Sequence, residues 1–178
     1  MPSKETLRRK YSLIRKNRYF EVKESFFTPL IKIIKKKYIK KNIAIYYPSN
    51  HEVSTIKLFR ILNNGKDFST LLPALSNGAM KFVKWNLLDP LKVNDFGFLD
   101  PTSGKVIQRP DLIIVPLLAY DKFKNRLGYG KGYYDKFLRK NKNILTIGLA
   151  FSFQKFNKIT TSKFDVKLNY ILTEKGIF

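Results

Sequence analysis

The sequence predicts one α/β domain over residues 1–178, built as three α/β/α layers with a mostly parallel central sheet. Two strand–loop–helix units support this prediction: one spans residues 42–64, and the other begins at the apolar run Leu112–Val115. Strands and helices are expected to alternate elsewhere, without internal repeats, low-complexity tracts or linkers. This alternation is typical of a parallel sheet that helices cover on both faces. A chain of 178 residues is also the size of one domain with its own core.

The first helix is predicted over residues 3–21, which are rich in helix-forming residues. Ser3 is a suitable N-cap. The apolar positions repeat every three to four residues, at Leu7, Tyr11 and Ile14. Lys4 and Arg8 are four residues apart and therefore share one face of this helix. By itself, that pair indicates only a solvated helix face.

A second helix is predicted over Phe26–Lys40, with Pro29 tolerated in its first turn. Lysines cluster between Lys32 and Lys41. Apolar residues interleave with them at near-helical spacing: Leu30, Ile31, Ile33, Ile34, Tyr38 and Ile39. The cluster is therefore interpreted as the solvated face of a helix with an apolar back.

The first strand is predicted at 42–48, and a helix ending at Asn64-Gly65 follows it. The apolar period of that helix is Val53, Ile56, Phe59 and Leu62. Glu52 lies in the loop between them, where open α/β sheets place ligand contacts. The alternative is that Glu52 merely enriches the first turn of the helix in negative charge. His51 is interpreted as a bystander.

Shorter patterns predict the remaining elements. Strands are expected at Phe68–Leu72 ending at Pro73, at Met80–Trp85, at Ile144–Phe151 with an interruption at Gly148, and at Tyr170–Leu172. A long loop is expected over Asn94–Pro110, because glycines and prolines recur there.

The segment Asn125–Asp135, the glycine segment, joins the strand at Leu112–Pro116 to a helix predicted over Tyr134–Lys140. Its glycines stand at alternate positions, 128, 130 and 132, so no β-carbon keeps a ligand away from the backbone there. The N-terminus of the following helix favours anions. Lys131 and Arg126 add cations that suit phosphate oxygens.

Asp135 is an unexpected neighbour for a phosphate unless a divalent cation lies between them. The segment therefore predicts a site for a metal-bound nucleotide. Its spacing matches neither the P-loop nor the G-x-G-x-x-G dinucleotide motif. On spacing alone, a tight glycine-rich turn packed under aromatic residues is an equal alternative. The presence of Lys131, Arg126 and Asp135 favours the nucleotide site.

Composition excludes several classes of site. The chain has no cysteine, which excludes disulfides, thiolate metal sites and a cysteine nucleophile. His51 is its single histidine, which argues against a histidine zinc site. Residues 1–16 lack the apolar core of a signal peptide, and no apolar run reaches the length of a membrane span. A cytoplasmic protein without membrane association is expected.

The net charge of +22 has three interpretations: nucleic-acid binding, attraction of small acidic substrates, or a coding bias toward lysine. Most of the basic residues are lysines, and they are spread along the whole chain. A dedicated nucleic-acid surface usually clusters its cations and mixes in arginine. The charge therefore supports acidic ligands without identifying them.

The runs Asp111–Asp121 (DLIIVPLLAYD) and Asn125–Asp135 (NRLGYGKGYYD) closely resemble the signature of the 5-formyltetrahydrofolate cyclo-ligase family, also called methenyltetrahydrofolate synthetases. The resemblance extends over nearly the whole chain and is weakest in the middle. Its further matches are Lys4-x-x-x-Arg8, Tyr46 to Glu52, Met80-x-Phe82, Phe151–Lys155 and Asp165.

The resemblance implies an enzyme that closes a ring at the expense of ATP, with Mg²⁺ as cofactor. It converts 5-formyltetrahydrofolate, possibly polyglutamylated, to 5,10-methenyltetrahydrofolate, and releases ADP and phosphate. The formyl oxygen attacks the γ-phosphate of ATP, N10 then adds to the activated carbon, and phosphate leaves. Such a reaction depends mainly on positioning and charge stabilisation. A monomer that binds no specific nucleic acid is expected.

The resemblance also assigns site residues, and it replaces the solvation interpretation of Lys4 and Arg8. The nucleotide-binding set is Lys4, Arg8, Arg126, Leu127, Gly128, Tyr129, Gly130, Lys131, Gly132, Tyr133 and Tyr134. Within it, Lys131, Arg126 and Tyr133 are the expected catalytic residues. Asp135 and Asp165 are expected to hold magnesium, directly or through water.

The folate-binding set implied by the resemblance comprises Tyr47, Glu52, Tyr129, Gly130, Lys131, Gly132, Tyr133 and Trp85. Trp85 either stacks on the pterin or packs in the core. The chain departs from the family pattern at Asp100, where Glu is expected before proline, and at Asn169, where a second Asp is frequent. If that second carboxylate helps to bind metal, affinity for the metal is weaker in this chain.

Two other functions are alternatives for this sequence. A non-catalytic nucleic-acid binder would bind DNA or RNA tightly, with affinity that falls steeply as salt rises. The chain contains no recognisable nucleic-acid module. A protein of the same fold could also bind folate and nucleotide for another reaction or for storage, although the intact glycine segment argues against a decayed site.

Overall fold

The computed structural model describes residues 2–37, 42–64, 67–76, 78–107 and 109–178. In these ranges the chain forms helices α1 (Lys4–Arg18), α2 (Thr28–Lys37), α3 (Ile56–Asn63) and α4 (Tyr133–Lys140). Two short 3₁₀ helices lie at Glu24–Phe27 and Ser152–Gln154. None of the described helices is long and apolar enough to cross a membrane.

The strands, in chain order, are β1 (Asn42–Ala44), β2 (Ser69–Ser76), β3 (Ala79–Lys84), β4 (Leu91–Val93), β5 (Leu99–Pro101), β6 (Val106–Ile107), β7 (Leu112–Pro116), β8 (Ala119–Tyr120), β9 (Arg126–Leu127), β10 (Leu145–Leu149), β11 (Tyr170–Thr173) and β12 (Gly176–Ile177). The main sheet has the order β12–β11–β10–β7–β1–β2–β3–β6, while β4 pairs with β5 and β8 with β9. From β11 to β2 the neighbouring strands run parallel. Strands β3, β6 and β12 join the two edges antiparallel. The prediction of a mostly parallel central sheet is confirmed.

Both faces of the sheet are covered by helices. Leu112 and Ile114 of β7 pack in the core cluster that contains residues of α2 and α3. Ile113 and Val115 point the other way, into the cluster that contains Leu138 of α4. The apolar run of β7 is continuous because both of its faces are buried. The three-layer prediction is therefore confirmed.

Helix α1 packs beside the glycine segment. The Oγ atom of Ser3 accepts a hydrogen bond from the backbone N–H of Thr6, which caps the helix as predicted. The helix ends at Arg18, before the predicted residue 21. Its apolar face belongs to a third cluster, formed by Leu7, Tyr11, Leu118, Ala119, Leu127 and Ile159. This packing directs the first turns of α1 toward the segment that follows β9.

The prediction of one long loop at Asn94–Pro110 is wrong, because the segment contains β5 and β6. Strand β5 pairs with β4 as a hairpin, and β6 pairs with β3 at the sheet edge. Asn94 closes the hairpin turn, since its Oδ1 accepts the backbone N–H groups of Phe96 and Phe98. Strands of two or three residues are too short to show an alternating pattern, so the turn residues dominated the prediction.

The expected end of a strand at Pro73 is also wrong, because β2 continues to Ser76. Pro73 lies opposite Phe82 of β3, whereas pairing of β2 with β1 stops at Leu71. The missing N–H of Pro73 therefore costs no ladder hydrogen bond on the β1 side.

Several predicted boundaries differ from those observed. Strand β1 ends at Ala44 instead of residue 48, although the N–H of Ile45 still donates to the carbonyl of Leu71. Helix α3 begins at Ile56. The predicted helix ends at Lys40 and Gly65 fall outside the described residues. The chain segments that leave the carboxyl ends of β1 and β7 reach the same edge of the sheet, where the candidate site lies.

Candidate functional site

The glycine segment is a left-handed turn that runs directly into α4. Gly130 and Gly132 have φ values of +103° and +70°, and Gly132 is the N-cap of the helix. Glycine suits these two positions because other residues are strained there. A β-carbon at Gly128 would meet no protein atom within 4 Å, so packing does not require glycine at that position. Gly128 therefore leaves open space beside the segment.

Asp121 holds the base of this segment. It is fully buried, and its carboxylate accepts hydrogen bonds from the backbone N–H groups of Phe123, Asn125 and Ile159. The side-chain amide of Asn125 donates to the same carboxylate at 2.9 Å. Several hydrogen bonds to one buried carboxylate hold a loop in one conformation. The turn between β8 and β9 is therefore a rigid support for the glycines that follow.

A first cavity of about 260 Å³ opens beside the glycine segment. Its lining is Lys4, Arg8, Phe98, Pro116, Arg126, Leu127, Gly128, Tyr129, Gly130, Lys131, Gly132, Tyr133, Tyr134, Asp135 and Asp165. The structure thus brings together every residue that was assigned to nucleotide or metal. These residues come from α1, from the stretch that runs from β9 into the first turn of α4, and from the segment between β10 and β11.

Two ion pairs organise the charges of this first cavity. Lys4 Nζ lies 2.6 Å from Asp165 Oδ2, and Arg126 Nη2 lies 2.8 Å from Asp135 Oδ1. Burial opposes ionisation of Asp165, but hydrogen bonds from Lys4 and Ser162 outweigh burial and lower its pKa. Each aspartate is therefore paired with a basic side chain of the same cavity.

The guanidinium group of Arg126 is largely occupied by contacts within the protein. Its side chain is 5% exposed, and besides Asp135 it donates through Nη1 to the carbonyl of Val166. The backbone N–H of Val166 in turn donates to Asp135. Burial lowers the pKa of Arg126, and the charge of Asp135 opposes that change. Arg126 thus ties the glycine segment to the segment before β11.

Arg8 and Lys131 both line the first cavity, but they make different contacts. Arg8 Nε donates to the carbonyl of Gly128 at 2.9 Å, and its guanidinium covers the position that a β-carbon of Gly130 would take. Lys131 is exposed, and its Nζ lies 4.9 Å from the centre of the Phe96 ring in the β4–β5 hairpin. Lys131 is therefore the exposed cation of the turn, whereas Arg8 binds its backbone.

A second cavity of about 110 Å³ adjoins the first and is more apolar. Its lining is Tyr46, Tyr47, Ser49, Glu52, Pro73, Leu75, Met80, Asn94, Phe98, Leu99, Asp100, Pro116, Tyr129, Tyr133 and Tyr134. Five residues line both cavities: Phe98, Pro116, Tyr129, Tyr133 and Tyr134. An aromatic wall therefore separates a charged cavity from an apolar one.

Glu52 is the carboxylate of the second cavity, and it is 6% exposed. Its Oε1 accepts the hydroxyl of Tyr129 at 2.7 Å, and its Oε2 accepts the backbone N–H of Ser49 at 2.9 Å. Burial raises the pKa of Glu52, while the nearby charge of Arg15 and these hydrogen bonds act in the opposite direction. Burial also raises the pKa of Tyr129, so its hydroxyl stays protonated and donates.

Sequence reasoning missed Arg15 and Phe98. Arg15 is buried beside Tyr129, and Phe98 lines both cavities. A signal for Arg15 did exist, because it continues the four-residue spacing of Leu7 and Tyr11 on the buried face of α1. Phe98 gave no comparable signal, since it lies in a hairpin that resembled a loop.

The structure resolves the alternatives for Trp85 in favour of core packing. Its ring is 2% exposed, and its Nε1 donates to the carbonyl of Asp89. The ring packs on Phe59 and meets only the edge of Tyr47, at 6.0 Å between centroids. A ring that stacks on a ligand needs an exposed face, and Trp85 has none.

The two departures from the family pattern lie in structural positions. Asn169 binds Thr146 at the start of β10, where its Oδ1 accepts both the backbone N–H and the hydroxyl of Thr146. Asn169 does not line the first cavity, and the weaker metal affinity expected from this departure stays a prediction. Asp100 is buried and accepts hydrogen bonds from Leu75 N and Asn94 Nδ2. It fixes the β4–β5 hairpin against the end of β2.

A basic groove of about 580 Å³ continues from the second cavity. The groove is lined by Gly78, Ala79, Met80, Lys81, Arg109, Tyr133, Lys136, Phe137, Arg139, Lys140 and Asn141. Met80 and Tyr133 line both spaces. No carboxylate of the described residues lines the groove, which gives it a strongly positive field.

The chain is similar in sequence to known proteins. The model of the 5-formyltetrahydrofolate cyclo-ligase family matches residues 3–174. The 5-formyltetrahydrofolate cyclo-ligase of Haemophilus influenzae is 34% identical over 140 residues, which cover 74% of this chain and 75% of that protein. The enzyme of the same name from Mycoplasma genitalium is 32% identical over 136 residues, with 74% and 72% covered.

Solved structures agree with these sequence matches. The NMR structure of 5,10-methenyltetrahydrofolate synthetase from Aquifex aeolicus superposes with a TM-score of 0.76 at 30% identity, over 98% of this chain and 91% of that one. A 5,10-methenyltetrahydrofolate synthetase from Mycoplasma pneumoniae has a TM-score of 0.75 over 96% of this chain and 98% of that one. At 24% identity, the second likeness concerns the fold alone.

Proposed function

The chain belongs to the 5-formyltetrahydrofolate cyclo-ligase family, and from this premise we propose how its cavities divide the reaction. The enzyme catalyses the ATP-dependent cyclisation of 5-formyltetrahydrofolate to 5,10-methenyltetrahydrofolate, with release of ADP and phosphate. We infer that ATP binds in the first cavity and the folate in the second. The observation that carries this assignment is their common aromatic wall, which would bring the two reacting groups together.

The reaction requires the formyl group of the folate and the γ-phosphate of ATP to lie close together. The formyl oxygen attacks the γ-phosphorus of ATP, and the bond from phosphorus to ADP breaks. N10 then adds to the formyl carbon and loses its proton to the departing phosphate or to solvent, and the carbon–oxygen bond breaks as phosphate leaves. A formamide oxygen is a poor leaving group until it is phosphorylated. The protein must therefore align the two substrates and stabilise the charge on the phosphoryl group as it is transferred.

The glycine segment is proposed to hold the phosphates. Support comes from its open backbone at Gly128, its left-handed turn at Gly130 and Gly132, and the helix N-terminus that follows. Lys4 and Arg8 line the same cavity from α1, and Leu127 and Tyr134 lie at the two ends of the segment.

Three residues are proposed as catalytic. Lys131 is exposed and lines the first cavity, so its ammonium group is available to stabilise charge on the transferred phosphoryl group. Arg126 is held by Asp135 and Val166, so its contribution is a fixed positive charge at the cavity floor. Tyr133 lines both cavities and is proposed to position the formyl group against the phosphate.

Mg²⁺ is the proposed cofactor, and the residues present fit it. Asp135 and Asp165 line the phosphate cavity together. The described residues contain no group of three or more potential side-chain ligands. Two carboxylates plus substrate phosphates is the usual arrangement for magnesium, which keeps several waters. When bound, the ion would neutralise charge on the phosphate oxygens.

The second cavity is proposed to hold the pterin end of the folate. Tyr47 and Glu52 line it from the segment after β1, and Tyr129 and Tyr133 line it from the glycine segment. An anionic Glu52 would accept hydrogen bonds from the N–H donors of the pterin. Trp85 would affect folate binding only indirectly, because it packs against Tyr47.

The basic groove is proposed to receive the glutamate tail. It continues from the second cavity past Met80 and Tyr133, and it presents Lys81, Arg109 and Lys136. Added glutamates bring added carboxylates, so a polyglutamylated substrate would gain contacts that the monoglutamate lacks.

We also propose that the enzyme is a cytoplasmic monomer. Sedimentation of the purified protein at assay concentration checks the oligomeric state.

The deciding experiment follows methenyltetrahydrofolate absorbance after the protein is mixed with ATP, Mg²⁺ and 5-formyltetrahydrofolate. A rise that requires ATP supports the proposal, and omission of magnesium tests the cofactor. Folded protein that binds ATP yet gives no rise would contradict it and would indicate another folate or nucleotide reaction.

A further inference from the structure

Arg15 is a buried cation to which the reaction scheme above gives no role. It lies on α1 with 1% of its surface exposed, whereas Arg9, Lys10, Lys16 and Arg18 of the same helix are exposed. A buried charge is costly unless hydrogen bonds satisfy it. Its burial among the residues of the site therefore requires an explanation.

The guanidinium of Arg15 joins three separate segments of the chain. Nη1 donates to the carbonyl of Leu117 at 3.2 Å, and Nη2 donates to the carbonyl of Asn50 at 2.7 Å. Nη2 also donates to the hydroxyl of Tyr129 at 2.5 Å. These contacts reach the segment after β7, the segment after β1 and the glycine segment. Arg15 thus links α1 to both walls of the second cavity.

The contact with Asn50 supports a strained turn. Asn50 and His51 both have positive φ values, 47° and 61°, which residues other than glycine adopt rarely. The turn is closed by a hydrogen bond from the N–H of Glu52 to the carbonyl of Ser49. Because Arg15 binds the carbonyl of Asn50 inside this turn, it helps to fix the backbone that presents Glu52.

The contact with Tyr129 orients a hydroxyl. Since that oxygen accepts a hydrogen bond from Arg15, its own proton is free to point at Glu52, to which it donates at 2.7 Å. The titratable groups that act on Glu52 come from four elements: Arg15 from α1, Tyr46 from the segment after β1, Tyr129 from the glycine segment and Tyr134 from α4. Among them, Arg15 is the one that carries positive charge.

We propose that Arg15 is a positioning residue for the folate half of the reaction, which holds Glu52 as an anion and Tyr129 in one orientation at the wall of the second cavity. Arg15 does not line the cavity itself. This inference rests on the proposed function, since it assumes that folate binds beside Glu52. Burial already raises the pKa of Glu52, and Arg15 opposes that rise, so loss of its charge moves the pKa further upward.

The test compares Arg15→Met, which removes the charge, with Arg15→Lys, which keeps it. The exposed residue Arg9, on the same helix, supplies the matched control Arg9→Met. The measurement is the pH dependence of kcat/KM for 5-formyltetrahydrofolate at saturating ATP, which reports ionisation in the folate-free enzyme.

In Arg15→Met the acid limb should move to higher pH, because a protonated Glu52 no longer binds the pterin donors. For each pKa unit of movement, kcat/KM below the limb falls about tenfold. Arg15→Lys should leave the limb nearer its wild-type position, and Arg9→Met should leave it unchanged. The KM for ATP should change far less than the KM for folate.

A structural role alone predicts another result. The melting temperature would fall and activity would drop equally at all pH values, with the limb in place, and that result overturns the proposal. If Arg15→Met does not fold, Tyr129→Phe replaces it, because it removes the hydroxyl through which Arg15 reaches Glu52. An unmoved limb in folded Tyr129→Phe also counts against the proposal.

Failure of the proposed function is distinguishable from failure of this inference. If wild-type protein does not cyclise the folate, the carboxyl ¹³C resonance of Glu52 still reports its pKa directly. A higher pKa in Arg15→Met than in Arg9→Met supports the inference without any assay of turnover, and equal values contradict it.

Discussion

Lys4 and Asp165 are joined by an ion pair of 2.6 Å although 161 positions separate them in the chain. The pair fastens the first turn of α1 to the segment before β11, at the margin of the first cavity. Arg126 and Asp135 form a second pair in the same cavity. In the proposed complex, the cations would turn to phosphate and the carboxylates to magnesium. The side chains proposed to bind phosphate and magnesium are thus paired with one another in the structure.

This pairing predicts different consequences for the two aspartates. Asp135→Asn leaves the nearly buried Arg126 without its carboxylate acceptor and should destabilise the fold by roughly 1–3 kcal/mol. Asp165→Asn breaks a partly exposed pair and should cost less than about 1 kcal/mol. Both variants should weaken Mg²⁺-dependent ATP binding.

Urea unfolding measures the stabilities, and calorimetric titration of ATP with and without magnesium measures the binding. Equal losses of stability in the two variants would contradict the difference in burial. Unchanged magnesium dependence would remove both residues from the metal site.

Lys131→Ala should lower turnover without loss of stability. Its ammonium is exposed, and Phe96 is the one ring that it contacts within the described ranges, so the free energy of unfolding should stay within about 0.5 kcal/mol of wild type. Removal of one donor to developing charge should lower kcat by about 100-fold or more. The exposed Lys122, which contacts Phe123 outside the cavities, supplies the control Lys122→Ala. Equal kcat values for the two variants would remove Lys131 from the catalytic residues.

Substitutions at Gly128 and Gly130 should distinguish a glycine needed for ligand binding from one needed for protein stability. Gly128→Ala should keep the melting temperature, because its β-carbon meets no protein atom within 4 Å. It should nevertheless weaken ATP binding if the nucleotide occupies that space. Gly130→Ala should destabilise the protein by more than about 1 kcal/mol, because its φ is +103° and its β-carbon would lie 3.1 Å from the Arg8 guanidinium. Wild-type ATP affinity in Gly128→Ala would place the phosphates elsewhere.

The local part of this site was predictable from sequence. Gly128, Lys131 and Asp135 lie within one short segment, so a strand, a turn and a helix N-terminus suffice to bring them to one cavity. The alternation of apolar segments likewise predicted the central sheet, since strands buried on both faces are continuously apolar.

The remainder depends on contacts between distant segments. Phe98 reaches the cavities through a hairpin whose strands have three residues each, too few to show a period. Arg15 is buried because it meets Asn50 and Tyr129, and neither is near it in sequence. Asn169 occupied a position where the family pattern suggested metal, but it binds Thr146 and does not line the first cavity.

The basic groove predicts a preference for longer glutamate tails. Lys140→Glu should raise the KM for triglutamyl 5-formyltetrahydrofolate more than the KM for the monoglutamate, because only the longer tail reaches the groove. The effect should diminish with added salt. Lys10→Glu, an exposed change of equal charge on α1, controls for net charge. Equal KM ratios in the two variants would exclude the groove as the tail site.

Glu52 predicts a distinct pH dependence of stability. Its pKa in the folded protein is raised by burial, so between the unfolded and folded pKa values the folded state binds more protons than the unfolded state. The stability that wild type owes to this group should therefore fall as pH rises through that window, and then stay constant. Asp165, whose pKa is lowered, acts in the opposite sense and loses its contribution as pH falls.

Glu52→Gln isolates this effect, because the amide does not titrate. Subtracting the unfolding free energy of Glu52→Gln from that of wild type, at a series of pH values, should give a curve that declines from acid toward neutral pH. The same variant should raise the KM for folate, since an amide cannot replace an anionic acceptor for the pterin donors. Asp67→Asn, at a carboxylate outside the cavities, supplies the control curve. A flat difference curve for Glu52→Gln would show that this carboxyl titrates in the folded protein as it does in the unfolded chain.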